Sequence, residues 1–420
     1  MVSLRINRDI SIVLLSLAVQ IPLAIFLGHY YDETSFIDTG YLVSAGLNPY
    51  LPHLVTVFAP RLVGINPVIG DPPLWPLLLG VIYRLSYNVV PNIFLYNFAI
   101  KVPVIAANIG LAFIVRKILQ QQGASDRKVR FAWLFLLLNP FVLLTSTAWG
   151  QFDTLIALLC VASIYFLSKS MVTEGTILLS LSVALKPVSA PLLGLPLLFT
   201  SRKYWIKTLE YILIAVAIIV GLWIFPFHLL DWMTPASQTQ ITSYFTRAGG
   251  MTPFDLVEVF QDKVTLPAGL TFLGYIWIPA LLLGYYFVFC DRPKTLNELT
   301  RKAIGLMLIF FLTYSWVSEP YINVVIALAL LALPLAKMNF RNFHFLWVIP
   351  LIFMILTTNF VQLFYLVSPQ SLVTFGLQIE NHIRSWRLIA RFLIVVAWQV
   401  FAWMLVINML RHQRDEKIDH

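Results

Sequence analysis

The chain has 420 residues, of which 59% are hydrophobic and 12% are charged, and its net charge is +9. A soluble protein carries about 25% charged residues, so this composition, with a mean hydropathy of +0.81, excludes a soluble globular protein. The positive charge does not indicate nucleic-acid binding, because it collects in short loops between apolar runs, as the positive-inside rule describes for membrane proteins. The clearest of these loops lie at 127–130, 201–203 and 301–302.

Long apolar runs predict the membrane crossings. A spanning helix needs about 20 mainly apolar residues. The first run is too long for a signal peptide and predicts a retained helix. The sequence thus predicts an all-α polytopic membrane protein that forms a single domain over 1–420. The predicted crossings lie near 10–29, 93–115, 131–148, 152–168, 208–226, 267–290, 303–318, 320–336, 343–363 and 387–410.

Two further apolar stretches contain prolines and do not fit as simple crossings. Residues 73–88 follow Pro72 and include Pro76. If they crossed, the basic stretch 116–130 would change sides, so we predict an interfacial helix on the outer face. Residues 175–200 contain Lys186-Pro187 and are flanked by basic loops at both ends. Because proline breaks a helix, we predict two half-helices that enter and return on one side.

These choices define a topology. Both termini and all strongly basic loops are predicted to be cytoplasmic. The outer (extracellular or lumenal) face then carries the long loops 30–92 and 227–266, a tight turn at 149–153, a turn at 318–320 and a loop at 364–386.

Acidic residues are scarce, and several lie at the outer ends of apolar runs. An ionisable group at a membrane boundary is costly unless it is paired or hydrated, which favours a function. Carboxylates in such loops can equally be ordinary solvated groups. The acidic candidates are Asp32, Glu33, Asp38, Asp71, Asp153 and Glu319.

The basic candidates would bind an anion. Lys186 lies at the predicted helix break and needs either an anionic partner, such as Asp153 or Glu319, or a hydrated cavity. Arg384, Arg387 and Arg391 recur at spacings of three and four and so share one helix face. Arginine binds phosphate through a planar fork of donors, although such a cluster can also extend to the membrane interface. Lys101, near the outer end of its helix, is a weaker candidate.

Five short motifs follow one another along the chain. Asp32 is followed by an aromatic residue four positions on and by a Gly-x-Asn-Pro-Tyr turn at 46–50. Next come Asp-Pro-Pro-Leu at 71–74, Trp-Gly-Gln-Phe-Asp at 149–153, Leu-Lys-Pro at 185–187 and Ser-Glu-Pro-Tyr at 318–321. In this order the motifs resemble those of the GT-C glycosyltransferases, most closely the polyprenol-phosphate-mannose-dependent mannosyltransferases of glycosyltransferase family 87, and the first motif is like that family's first outer loop. Asp71 stands where the family has an aromatic residue.

The resemblance implies a GT-C-like bundle of about 10–12 transmembrane or re-entrant helices and an inverting sugar transfer at the outer face. Asp32, or alternatively Asp38, would be the base that accepts the proton of the acceptor hydroxyl. Glu33, Asp71, Gln151, Asp153 and Glu319 would contact sugars or orient the base. The cations Lys186, Arg384, Arg387, Arg391 and Lys101 would hold the donor phosphate.

The resemblance implies these partners: a polyprenyl- or dolichyl-phosphate sugar donor, with mannose the sugar, a lipid-linked or glycan acceptor, and membrane lipids. No cofactor is expected. No metal site is expected either, because the seven histidines are scattered. Two other classes remain open. A secondary transporter or flippase also uses broken helices with a buried ionic site, but the sequence shows no internal repeat. A scaffold subunit would not need carboxylates and cations on one face.

Overall fold

The computed structural model describes residues 2–59, 68–199, 205–238, 247–257, 265–335, 339–357, 360–367 and 370–411. Across these ranges the regular structure is almost entirely helical, so the all-α prediction is confirmed. The helices of the first half are α1 Val2–Phe26, α2 Tyr30–Ser44, α3 Leu74–Leu85, α4 Ile93–Gln121, α5 Asp126–Leu138, α6 Pro140–Leu143, α7 Asp153–Ser168 and α8 Val172–Leu185. Those of the second half are α9 Trp205–Ile219, α10 Phe225–Leu229, α11 Trp277–Cys290, α12 Leu296–Thr313, α13 Ile322–Leu335, α14 Phe340–Thr357, α15 Gln370–His382 and α16 Arg384–Leu410.

Within the described ranges, seven helical segments are long and apolar enough to cross a membrane, and each coincides with a predicted crossing. They are Asp9–Phe26, Ile93–Gln121, Asp126–Ala148, Ile206–Leu229, Gly269–Cys290, Phe340–Thr357 and Arg384–Leu410. The third and fourth contain a π-helical turn, at Leu144–Ala148 and at Val220–Ile224. The chain is therefore a multi-pass integral membrane protein.

The other three predicted crossings are helices of a different kind. α7 has 16 residues and α13 has 14, both shorter than a typical span. α12 has 18 residues but carries Glu298, Arg301 and Lys302 in its first two turns. Most of α12 and α13 is buried against other helices. Because protein rather than lipid surrounds them, these helices can be shorter and more polar than a lipid-facing span.

The two proline-containing stretches are only partly as predicted. α3 forms as expected, and its 12 residues rise about 18 Å, too little to cross a core of about 30 Å. The predicted break at Lys186 is confirmed, since α8 ends there and Lys186 has an extended backbone. The expected second α-helical half is wrong. Two 3₁₀ turns, Pro187–Leu192 and Leu195–Phe199, take its place, because Pro191 and Pro196 lack the N–H that an α-helix needs.

Two short strands attach the long loop 227–266 to the end of α12. β1, Gly249–Gly250, pairs in parallel with β2, Trp316–Val317. Gly250 has a φ of +67°, and a Cβ on it would collide with the backbone of Val317, so only glycine fits there. Within this loop, residues 239–246 and 258–264 lie outside the described residues.

A buried polar network fixes the helix end that precedes the 149–153 turn. Asn108 of α4 donates to Gln20 of α1 at 2.8 Å and to Ser146 at 3.0 Å. Thr147 also donates to Gln20, at 2.9 Å. Asn323 of α13 reaches the same π-helical turn through Thr145 at 2.9 Å. Hydrogen bonds of this kind hold transmembrane helices together, and here they set where the turn projects.

Candidate functional site

The site begins where α1 ends and α2 starts. His29 caps α2, with its ring nitrogen accepting from the Asp32 N–H at 3.4 Å. The His29 ring stacks on Trp149, with centroids 4.3 Å apart, and the His29 backbone N–H donates to the Trp149 carbonyl at 3.1 Å. Burial lowers the pKa of His29, and the nearby Asp32 opposes the shift. The first acidic turn of α2 is thereby fixed to the 149–153 turn.

Asp32 lies at the centre of this arrangement. One carboxylate oxygen accepts hydrogen bonds from Trp149 Nε1 at 2.6 Å and from Gln151 Nε2 at 2.9 Å. The Asp32 side chain remains 28% exposed. Two donors orient the carboxylate, and the exposed fraction leaves it accessible to a bound molecule.

The oxygen of the Gln151 amide contacts Lys186. Its ammonium donates to Gln151 Oε1 at 2.9 Å and to Asp153 Oδ2 at 2.8 Å. The rings of Phe152 and Tyr321 flank it, with their centroids 4.8 and 4.9 Å from Nζ. The aromatic faces and the carboxylate together stabilise a cation in this buried position. The structure therefore joins Asp32 to Lys186 through one amide.

Asp71 adds a third carboxylate to this group. Burial raises its pKa to about 6; the charge of Lys186 opposes the shift, and those of Asp153 and Asp32 reinforce it. The Asn-Pro-Tyr turn holds this segment, since Tyr50 donates to the Asp71 carbonyl at 2.8 Å. We call Asp32, Asp71, Gln151, Asp153 and Lys186 the amide-linked cluster.

Glu33 and Lys101 form a separate pair next to the cluster. Their charged atoms are 3.4 Å apart and both side chains are fully buried. Lys101 also donates to the carbonyls of Leu27 and Ala148. Burial raises the pKa of Glu33 to about 7, with Lys101 opposing the shift. This pair connects the end of α1, α2 and the 149–153 turn, and its lack of exposure indicates a structural role.

Asp38 lies apart from the cluster. It is 3% exposed, and its charge is felt by the buried phenols of Tyr96 and Tyr365. Burial raises its pKa to about 7. Of the two acids predicted as alternative bases, only Asp32 combines exposure with oriented donors.

Two of the remaining predicted residues, Arg387 and Arg391, lie near Glu319. Thr357 donates to Glu319 at 2.5 Å, and Arg387 donates to the Thr357 carbonyl at 3.4 Å. Arg384, Arg387 and Arg391 all belong to α16, as the spacing predicted. Arg384 starts the helix and is partly exposed. Tyr321, two residues after Glu319, contacts Lys186 and so links this group to the cluster.

Arg391 has a partner that the sequence did not reveal. Its guanidinium forms a bidentate pair with the buried Asp255, at 3.1 and 2.5 Å. Asp255 belongs to the loop 227–266 and lies 136 residues away along the chain. Its sequence signal is weak, because several other acidic residues occur in the same loop. Other missed contacts are aromatic: Trp149 on Asp32 and Tyr321 on Lys186.

The cluster can perform acid–base chemistry and can bind polyhydroxylated molecules. It offers an oriented carboxylate, an ammonium and further carboxylates that accept from hydroxyls. Among the residues that the structure describes, no three His, Cys, Asp or Glu side chains meet in a way that could hold a metal ion.

Comparisons with known proteins assign no family to this chain. No protein-family model matches it, and a search of curated proteins finds no match. What the fold defines is a multi-pass integral membrane protein whose broken helix α8 carries Lys186 to the acidic start of α2.

Proposed function

We propose that this protein transfers a sugar, with mannose the sugar favoured by the motif resemblance, from a polyprenyl-phosphate donor to a hydroxyl of a lipid-linked or glycan acceptor. One observation carries the proposal: Gln151 holds the exposed carboxylate of Asp32 and the ammonium of Lys186 at the two ends of one amide. A base and a cation at the two ends of one amide suit a displacement reaction. The acceptor hydroxyl loses its proton at the base, and the phosphate leaves as an anion at the cation.

Asp32 is the base in this proposal. The acceptor hydroxyl attacks the anomeric carbon while its proton passes to the Asp32 carboxylate. The bond from the anomeric carbon to the phosphate oxygen breaks, and its electron pair leaves with the polyprenyl phosphate. Attack from the face opposite the phosphate inverts the anomeric configuration. A positioned base contributes about 10²–10⁴-fold to such a step.

The leaving phosphate needs positive charge. An ammonium has three donors, and the contacts to Asp153 and Gln151 use two of those on Lys186. The third is available to a donor phosphate. Arg387 is the second cation that would stabilise the leaving phosphate. It donates to the carbonyl of Thr357, whose hydroxyl bonds Glu319, whereas Arg391 already binds Asp255. Asp71, which is partly exposed, would accept from sugar hydroxyls, and the fully buried Asp153 would hold Lys186 in position.

The test compares Asp32→Asn with Asp38→Asn, two equal changes on one helix. Purified protein is incubated with labelled polyprenyl-phosphate sugars and a lipid extract, and products are identified by mass spectrometry. We expect Asp32→Asn to lower transfer by about 10²-fold or more, while Asp38→Asn keeps it. Equal thermal midpoints for wild type and Asp32→Asn would show that folding is intact. Full activity of a folded Asp32→Asn protein would rule out Asp32 as the base.

A transporter or flippase is the second candidate, favoured by the charge of the cluster. Three carboxylates against one lysine leave a net negative site at a helix break, where transporters hold coupling cations. This candidate predicts movement of a lipid-linked or anionic substrate across vesicles without chemical change. Product that contains the transferred sugar, formed by protein in detergent where no compartments exist, would exclude it as the main activity.

A further inference from the structure

A groove of about 540 Å³ lies at the end of the bundle opposite the amide-linked cluster. It runs between α1, α4 and α5. Along α4, Arg116 lies 15 residues after Lys101, which corresponds to about 22 Å. The apolar walls include Leu14 and Phe113, each 59% exposed, so the groove opens towards lipid.

The polar end of the groove carries fixed cations. Arg116 donates to Asp9 at 2.7 Å, and its guanidinium lies 5.1 Å from the centroid of the Trp133 ring. A guanidinium has five donors, and the contact with Asp9 uses one nitrogen. Lys117, also at this end, is exposed. The basic stretch 127–130 follows the four-residue turn between α4 and α5.

The wall of the groove contains an unsatisfied donor. Trp133 is 2% exposed, and its indole N–H has no acceptor among the described residues. A buried N–H without a partner loses its hydrogen bonds to water and gains none in return, which is destabilising. An ester or phosphate oxygen next to this wall would supply the acceptor.

We propose that this groove binds an anionic phospholipid, with one acyl chain along Leu14 and Phe113 and the phosphate on Arg116 and Lys117. The apolar walls match an acyl chain, the cations match the headgroup charge, and basic pockets between transmembrane helices commonly hold such headgroups. The ligand is a structural lipid of the leaflet that faces the basic loops, and its site is separate from the proposed transfer reaction.

Native mass spectrometry of the delipidated full chain tests this site. Phosphatidylglycerol and phosphatidylcholine with identical chains are added in turn, and retained lipid is counted. We expect the wild type to prefer phosphatidylglycerol and Lys117→Gln to bind it about five-fold more weakly, the effect of one basic residue near an anionic headgroup. Lys117→Arg keeps the preference. The control is Lys207→Gln, since Lys207 is an exposed lysine on α9, and it should bind as the wild type does.

A second variant tests the acyl-chain position. Leu14→Trp fills the groove at a lipid-exposed position where folding tolerates bulk, and it should lower the retention of both lipids. Equal retention of the two lipids by the wild type, equal losses in Lys117→Gln and Lys207→Gln, or wild-type binding by Leu14→Trp would each overturn the proposal. The readout counts lipid and not product, so it succeeds or fails independently of sugar transfer.

Discussion

Gly150 shows how closely the residues around Asp32 approach one another. Its φ is +98°, a conformation that side chains rarely adopt. A Cβ at this position would meet the Glu33 carboxylate and would lie 3.2 Å from Lys101 Cε. Glycine is therefore required at position 150 for two reasons. The turn needs a positive φ, and the buried pair of Glu33 and Lys101 leaves no room for a side chain.

We expect Gly150→Ala to destabilise the protein. The backbone strain alone costs about 1–3 kcal/mol, and displacement of Glu33 from Lys101 adds to it. The measurement is the midpoint of thermal unfolding in detergent. Gly221→Ala is the matched control, because a Cβ there meets nothing within 4 Å. An unchanged midpoint for Gly150→Ala would contradict the close contact.

Asp38 should make stability depend on pH. Its pKa is raised by burial to about 7, from an ordinary value of 3.8. Between these two values the folded state retains a proton that the unfolded state releases, so the contribution of Asp38 to stability falls as pH rises from about 4 to 7 and then levels off.

Asparagine resembles the protonated carboxyl group. We therefore expect Asp38→Asn to match the wild type in thermal midpoint near pH 4 and to exceed it at pH 8. Glu174→Gln, which changes an exposed acid, should show no such divergence. If the difference between wild type and Asp38→Asn is the same at both pH values, Asp38 is not held in its protonated form.

The residues of the cluster could be chosen from the sequence, but their pairing could not. Asp32, Asp153 and Lys186 are candidates because ionisable groups at the ends or breaks of apolar runs are costly, whereas Gln151 is a candidate only through the motif resemblance. Whether Lys186 bonds Asp153 or Glu319 depends on how α7, α8 and α13 pack, and local sequence carries no information on this. Asp255 was missed for the same reason, since its partner is 136 residues distant.

At the scale of elements, the ion pair between Asp255 and Arg391 joins the loop 227–266 to α16. Asp255 is fully buried, and the side chain of Arg391 is 6% exposed. Removing one member of a buried pair leaves the other charge without compensation, which costs about 3–5 kcal/mol, whereas replacing both with apolar residues is often neutral. This pair therefore holds the loop in place over the membrane-embedded helix.

We expect Asp255→Leu or Arg391→Met alone to lower the thermal midpoint strongly, and the double variant to recover most of the loss. Glu210→Gln provides the comparison, because its pair with Lys207 is exposed and such pairs contribute about 0–1 kcal/mol. Additive losses in the double variant would show that the two side chains do not act as a pair.

Hydropathy located helices both where lipid is the solvent and where protein is, but it did not predict the short lengths and the charges of the protein-surrounded ones. Lipid-facing spans must be long and apolar, so hydropathy identified the seven that the described residues contain. Other helices surround α7, α12 and α13, so these three need to be neither long nor entirely apolar. Their shorter lengths and the charges of α12 follow from burial, which depends on the tertiary fold.

At the scale of the whole molecule, the basic stretch 127–130 and the amide-linked cluster lie at opposite ends of the bundle. α4 connects these ends. Its 29 residues rise about 44 Å, more than the membrane core of about 30 Å. Asn88 and Gln122 flank α4 and are both exposed. The positive-inside rule predicts Gln122 on the cytoplasmic side and Asn88 outside.

Cysteine labelling measures this orientation. In a Cys290→Ser background, which leaves only the buried Cys160, Asn88→Cys should react with a membrane-impermeant maleimide on intact cells. Gln122→Cys should react only after the membrane is permeabilised. The two variants control for each other, because both sites are exposed loop positions next to one helix. Labelling of Gln122→Cys alone on intact cells would reverse the topology. It would place Asp32 and Lys186 on the cytoplasmic side. The donor would then have to present its sugar at the cytoplasmic leaflet and not at the outer one.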